Sequence, residues 1–486
     1  MKAKIGDIYT MYQKRLKRYT ACQMIKVDDE KILCLGLDWT GEEPLRADQI
    51  DGLAPLYKDF MYWERRICSM YVEAEVPDNY QYVGNIPPLS NEDSHTYGSW
   101  YYGDDIYYQL LWQKIPEKRR RAFKEAMESE EETEIAGVKV KVCSHAIWDT
   151  NIPFDSAFAL HRLPCLSSIV CENWHPDLLE FLRSNPFIYE LTLLNHGQKS
   201  LDFRGTSVQR LMLDMTGLEE LWLGEEIEQL LFQNEGVDNC AIHAPEDGNL
   251  LTLQFIGEYC SHAELPDLWG LHGIRIKDFD LHCLSEVHPH LKELHLSGAP
   301  GNLRNFSAVR EFRELTDFST YDLFGFTADD IPTPEQMPAL IWFWMTSLPE
   351  DAAKMAKKLW KGKKGMSMRI TKARKPEWLA QNLDNPFRNW DGAEHIPASA
   401  AKKAANQYRK TRSELLKLAA ASDPNAQNQA LEAVTSYTQT FNKMGFIETE
   451  ERDEIYMALC GILDVLPKCN ISKDVLIDKF EELRDF

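Results

Sequence analysis

The chain has 486 residues, 44% of them hydrophobic, and a net charge of −22. That composition buries a sizeable core and excludes a disordered chain, while the acidic field disfavours general binding to nucleic acid or anionic membranes. The 11 scattered cysteines form no Cys-x-x-Cys pair, the N-terminus lacks the apolar core of a signal peptide, and the longest apolar run, Ala339 to Met345, is far short of the ~20 residues of a membrane span, so the expectation is a cytoplasmic protein with reduced thiols.

Residues 1–90 read as a small β-rich domain. "GDIYTMY", "YTACQMIKV" and "KILCLGLDW" are short runs rich in β-branched and aromatic residues, separated by charged or glycine-containing turns. "LAPLYKDFMYWERR" reads as a helix and "NIPPLSNEDSHTYGSW" as a loop. Residues 91–160 read as a mixed connector and cap. "DDIYYQLLWQKI" and "PEKRRRAFKEAMES" have helical spacing, with Pro116 suited to a first turn. "ESEEETE" reads as a solvated turn, and "AGVKVKVCSHAIW" alternates like a strand.

Residues 161–384 carry a recurring pattern, apolar-x-x-apolar-x-apolar. It is clearest in "LKELHLSG", with Leu291, Leu294 and Leu296. Matches start at Leu166, Ile188, Val208, Leu218, Ile227, Val237, Leu250, Leu271, Leu291 and Leu340, with a weaker one at Leu315 and a last one near Met366. Most steps are ~20 to 25 residues, the period of a leucine-rich repeat. Between Val208 and Leu250 they shrink to about 10, too short for a strand and a return helix, so the chain there is expected to turn straight back. The competing reading is a set of independent amphipathic strands in an ordinary sheet. The repeat reading gives the fold class: α+β multidomain, with a small N-terminal β-rich domain, a degenerate leucine-rich-repeat solenoid and a C-terminal helical cap.

Period-2 alternation then names the residues on the open, concave face. They are Glu293, His295 and Ser297, with Trp222, Arg275, Asp317, Ser319, Tyr321, Trp342 and Trp344 at matching offsets. Aromatics and arginine are the usual anchors of protein interfaces. Trp222, Arg275, Glu293, His295, Tyr321, Trp342 and Trp344 are therefore the candidate partner contacts, unless flanking segments cover them. "KMAKKLWKGKKGMSMRITKARK", from Lys354 to Lys375, holds ten Lys or Arg and no acid. Lys357, Lys358, Lys361, Lys363 and Lys364 cluster about Trp360, a patch suited to nucleic acid or an acidic protein surface. The plainer reading is the solvated helix of one repeat followed by its strand.

Residues 385–486 read as a helical domain. "NPFRNWDGAEHIP" is a boundary loop by composition, and three longer helices and a short one follow. Gly445 is expected to stop the second helix, Thr449 to cap the third and Ser472 to cap the last. Stacked helices here would shield the open end that a solenoid otherwise exposes.

No phosphate-binding loop, nucleophile elbow or metalloprotease helix is present. "HCLSEVHPH" groups His282, Cys283, His288 and His290 at no standard zinc spacing. "CSHAIWD" brings Cys143, His145 and Asp149 close in sequence, but a nucleophile and its base usually come from separate segments. Cys460 lies on an apolar helix stripe and reads as a core thiol. No catalytic residue, cofactor or metal is expected.

Two family resemblances rest on these residues. "GDIYTMYQKRLKRYTACQMIKV", followed by "VPDNYQYVGNIPPL", resembles bacterial immunity proteins of polymorphic-toxin systems over about the first 90 residues. The remainder resembles leucine-rich-repeat proteins of proteobacteria labelled gliding motility proteins, through "NPFRNWDGAEHIPASAAKKAANQYRKTR". The resemblance implies a cytosolic antidote that binds a cognate toxin, and the acidic charge suits a basic partner. The alternatives are an effector or enzyme that selects a protein substrate with its repeats, and a scaffold touching nucleic acid through the basic strip.

Overall fold

A computed structural model describes residues 3–98, 100, 103–235, 240–259, 262, 264–363, 366–420, 425–467 and 471–486. The fold is α+β, with a small antiparallel sheet at the N-terminus, parallel β-structure through the middle of the chain and helices at the C-terminus. The chain divides into two compact units, Met1–His272 and Gly273–Phe486. Among the described residues no helix is long and apolar enough to cross a membrane.

The first unit opens with a five-stranded antiparallel sheet. Its order is Ser69–Glu73, Lys31–Gly41, Arg18–Val27, Asp7–Gln13 and Gln81–Asn85. Met24, Ile32 and Cys34 are buried on one face, and Ile8, Leu33 and Leu35 on the other. The expected helix at "LAPLYKDFMYWERR" does not form. Tyr57–Lys58 and Arg66–Ile67 pair as a two-stranded ribbon instead. Of the aromatic residues between them, Tyr62 and Trp63 stay exposed, and Phe60, Tyr62 and Trp63 line a recess of about 560 Å³ with Trp112 and Phe187. Asp104–Lys114 and Glu117–Met127 are helices, with Pro116 as the N-cap of the second. The acidic run is only partly a turn, because Glu132–Ile135 pairs antiparallel with Val138–Lys141. The strand expected from "AGVKVKVCSHAIW" is broken in two, Val138–Lys141 and Ala146–Trp148.

Parallel strands follow. Ala146–Trp148, Ser168–Cys171, Glu190–Leu193, Arg210–Leu213, Gln229–Glu235 and Thr252–Ile256 pair in that order. Ser200–Asp202, Glu220–Trp222 and Ala241–His243 form a second parallel sheet. The short steps in the sequence have this origin: alternate matches fall in alternate sheets. Leu191, Leu211, Leu221 and Leu230 are all fully buried. The match at Val237 begins outside the described residues.

The second unit continues with parallel strands Glu293–Arg304, Asp317–Phe324, Trp342–Pro349 and Ser367–Arg374, paired neighbour to neighbour. Leu291 and Leu294 are 0% exposed and Leu296 2%. Each such leucine contributes roughly 1.5–3 kcal/mol by leaving water. The weak match at Leu315 is a full rung, with Leu315 and Phe318 buried. The rung assigned to Leu271 sits three residues earlier: Leu268, Leu271 and Gly273 are the buried trio. Arg275 has φ of +55° and breaks the alternation there.

Left-handed residues recur at one place in the later strands, Asp322, Ser347 and Lys372. Such a residue interrupts the inward–outward alternation. Asp322 and Ser347 therefore turn inward beside Leu323 and Leu348, and all four are buried. Their polar groups meet each other and the segment that follows. Ser347 Oγ donates to Asp322 Oδ1 at 2.9 Å, and Arg388 Nε donates to Asp322 Oδ2. "NPFRNWDGAEHIP" is thus no loose boundary. Phe387, Arg388 and Trp390 are buried, Lys372 Nζ donates to the Asn389 carbonyl at 2.6 Å, and Trp390 Nε1 donates to Glu454 at 2.6 Å.

The C-terminal helices are Ala398–Ala420, Ala426–Phe441, Thr449–Asp464 and Lys473–Leu483. They share a core of Leu415, Tyr437, Phe441, Ile455, Leu459 and Phe480. The second helix ends at Phe441, before Gly445. Glu448, not Thr449, caps the third, in a capping box with Glu451, which suits the positive end of the helix. Ser472 holds the N-cap position of the last helix without a side-chain hydrogen bond to it.

Candidate binding face

The register of the second unit assembles a face from three rows of outward side chains. The first row is Glu293, Asp317, Trp342 and Ser367. The second is His295, Ser319, Trp344 and Arg369, and the third is Ser297, Tyr321, Thr346 and Thr371. Parallel strands stand ≈ 4.8 Å apart, so each row is a line of adjoining side chains.

Aromatic surface lies at the centre. The Trp342 and Trp344 rings stack with centroids 4.0 Å apart and planes 26° apart. Both stay partly exposed. Trp344 Nε1 donates to Ser367 Oγ at 3.1 Å, and the Arg369 guanidinium lies 5.4 Å from the Trp344 ring. Tyr321 is 40% exposed. Burial, then the carboxylates of Asp322 and Glu454, push its phenol up to about 12.

Acid lies beside the aromatics. Thr316 Oγ1 donates to Asp317 Oδ2 at 2.7 Å, yet burial and the neighbouring Glu293 raise the Asp317 carboxyl above its ordinary value. His295 Nε2 is 2.7 Å from Glu293 Oε1, and its Nδ1 meets Ser319 Oγ. Glu454 is also raised, first by burial and then, against the pull of Trp390, by Glu450 and Glu451. The face is therefore aromatic and flanked by carboxylates whose charge is held under strain from burial and from each other.

The sequence-based set divides over these elements. Glu293, His295, Tyr321, Trp342 and Trp344 share the face. Arg275 is exposed, but its left-handed backbone takes it out of the alternation that was to align it. Trp222 lies in the three-stranded sheet of the first unit. There it stacks on His243 at 3.8 Å, with the Arg204 guanidinium 4.4 Å from its ring. The basic strip also needs correction. Trp360 is 1% exposed, and its Nε1 donates to the Pro332 carbonyl at 2.9 Å. The helix Glu350–Leu359 buries Ala352, Ala353 and Ala356 and leaves Lys357 and Lys358 in solvent. Trp360 closes that buried side, while Lys361 is exposed and Lys363 partly so. Lys364 lies outside the described residues.

The chemical clusters fare differently. His282 pairs with Glu286 and Glu311, His290 pairs with Glu314, and His288 is buried. Asp149 turns away from Cys143 and His145, while the His145 ring meets Tyr62. Asp149 faces Cys171 and His175 instead. This trio was missed because its members come from two separate rungs, and the spacing Cys-x-x-x-His alone is unremarkable. No protein-family model matches this chain, and no curated protein matches it.

Proposed function

We propose that this chain is a non-enzymatic protein-binding module, an immunity protein that neutralises a cognate toxin. The parallel strands are read as a degenerate leucine-rich-repeat solenoid whose last strands are shielded by the C-terminal helices. The observation that carries the reading is the stacked Trp342–Trp344 pair, held partly exposed on outward strand positions. Aromatic surface of this kind is depleted from ordinary protein exteriors and concentrated at the centres of interfaces. Glu293 and Asp317 beside it, and the net charge of −22, favour a basic partner by steering encounter and selecting orientation.

The test is genetic and then biochemical. The gene should lie directly downstream of a toxin gene, and deleting it should poison only cells that carry that toxin. The purified toxin should form a stoichiometric complex with the full chain. Harmless deletion with the neighbour intact overturns the immunity reading. A complex that survives loss of both tryptophans overturns the placement of the contact.

A further inference from the structure

Three metal-ligating side chains of different chemistry converge in the first unit. Asp149 follows the strand Ala146–Trp148, Cys171 ends the adjoining strand Ser168–Cys171, and His175 lies on the turn that leaves it. One carboxylate oxygen, the Cys171 Sγ and one imidazole nitrogen all lie within 4.8 Å of one another. The geometry points to a site for a divalent transition-metal ion of the zinc class, held by Asp149, Cys171 and His175.

The surroundings are those of a built site. Cys171 is 0% exposed, Asp149 3%, and the His175 side chain 13%. At the same inward place on the following strands stand Leu193 and Leu213, so a carboxylate is out of character there. Backbone hydrogen bonds fix the two strand-borne ligands. The Asp149 amide donates to the Val170 carbonyl at 3.0 Å, and the Cys171 carbonyl accepts from the Leu194 amide at 2.8 Å. The Phe154 ring stacks on the His175 ring at 4.3 Å and 28°, which sets its plane.

The carboxylate has the outer support that metal ligands commonly have. Asp149 Oδ1 accepts the Glu172 amide at 2.9 Å, and Oδ2 accepts the Asn173 amide at 3.0 Å and its Nδ2 at 3.3 Å. Oδ2 also lies 3.3 Å from His175 Nε2. Binding would replace that contact: the imidazole turns its neutral nitrogen to the metal, and Asp149 supplies the lone pair left on Oδ1. The Cys171 thiol gives up its proton to water as the metal–sulfur bond forms. One carboxylate and one thiolate then neutralise a dication in apolar surroundings, with the fourth position left to water. Oxygen, nitrogen and thiolate together suit zinc better than calcium or magnesium, which take oxygen alone. The partly exposed His175 edge, beside exposed Asn173, supplies the way in.

The test is cobalt titration of the full chain, with zinc in competition. One equivalent of Co²⁺ should produce the near-ultraviolet thiolate-to-cobalt absorption, and Zn²⁺ should abolish it. Cys171→Ser should lose that band, and His175→Gln should weaken binding by more than the roughly 10–100-fold that loss of an outer partner costs. As Cys171→Ser disturbs the core, circular dichroism must first show it folded. His175→Gln, at the rim, is the second variant. Added zinc should raise the unfolding temperature of the wild type and leave that of His175→Gln unchanged. No band at excess cobalt overturns the site, because the trio is then only a hydrogen-bonded edge. A band of full strength in both variants also overturns it, because other thiols then hold the metal.

Discussion

Arg388 donates from Nε to the buried carboxylate of Asp322, and so ties the segment after the last strand to the left-handed kink of an earlier one. Asp322 is 0% exposed, and Ser347 Oγ holds its other oxygen. Removing one partner of such a pair strands the other charge. Arg388→Leu should destabilise by about 3 kcal/mol, the low end of the usual range, because Ser347 still donates. Asp322→Leu with Arg388→Leu should cost less than Arg388→Leu alone. Denaturant unfolding followed by tryptophan fluorescence checks both, and a loss under about 1 kcal/mol in the single variant would mean that the pair is solvated.

Asp317 predicts a pH dependence of known sign. Burial and Glu293 raise its carboxyl above the ordinary value of 3.8. As pH rises past that value, the unfolded chain loses this proton first. The folded state then binds more protons, so Asp317 destabilises the fold progressively until it too ionises, and by a constant amount above that. Asp317→Asn removes the effect. The unfolding temperature of the variant, relative to wild type, should therefore rise as pH increases above the ordinary carboxyl value. A difference that shrinks as pH rises would contradict the raised carboxyl.

The strip around Trp360 separates into core and surface. Trp360→Ala should cost about 3–5 kcal/mol, as other large buried aromatics do. Lys357→Ala, Lys358→Ala and Lys361→Ala together touch only exposed positions and should each stay within about 0.5 kcal/mol. Thermal unfolding of the two variants distinguishes them, and equal losses would mean that the helix Glu350–Leu359 docks otherwise.

Periodicity made the strands legible, and chain punctuation did not. Leu291, Leu294 and Leu296 repeat because buried side chains on parallel strands must stack, and that constraint is written in residue type. Arg275 departs from the row because a left-handed residue resets the alternation, and nothing in arginine announces that conformation. "LAPLYKDFMYWERR" has helical spacing, but its aromatics line the wall of a recess that only the folded chain creates. "NPFRNWDG" has the composition of a loop because its Asn, Arg, Asp and Gly serve buried hydrogen bonds and turns. Asp149 and Cys171 meet across neighbouring strands, and no local window contains both.

The tryptophan pair supplies the prediction closest to function. Trp342 and Trp344 stack on each other and stay partly exposed on outward strand positions, with Ser367 Oγ accepting from Trp344 Nε1. Trp342→Ala with Trp344→Ala should therefore change stability little while weakening binding of the proposed partner by ~2 kcal/mol or more, roughly 30-fold in Kd. Asp317→Asn should slow association, and the more so at low salt, because a flanking charge acts mainly on encounter. Calorimetry gives the first quantity and stopped-flow mixing at two salt concentrations the second. Full affinity in the double tryptophan variant, with the fold intact, would move the contact off this face; slowed association with unchanged dissociation in Asp317→Asn would keep the acids at its rim and leave the aromatics as the anchor.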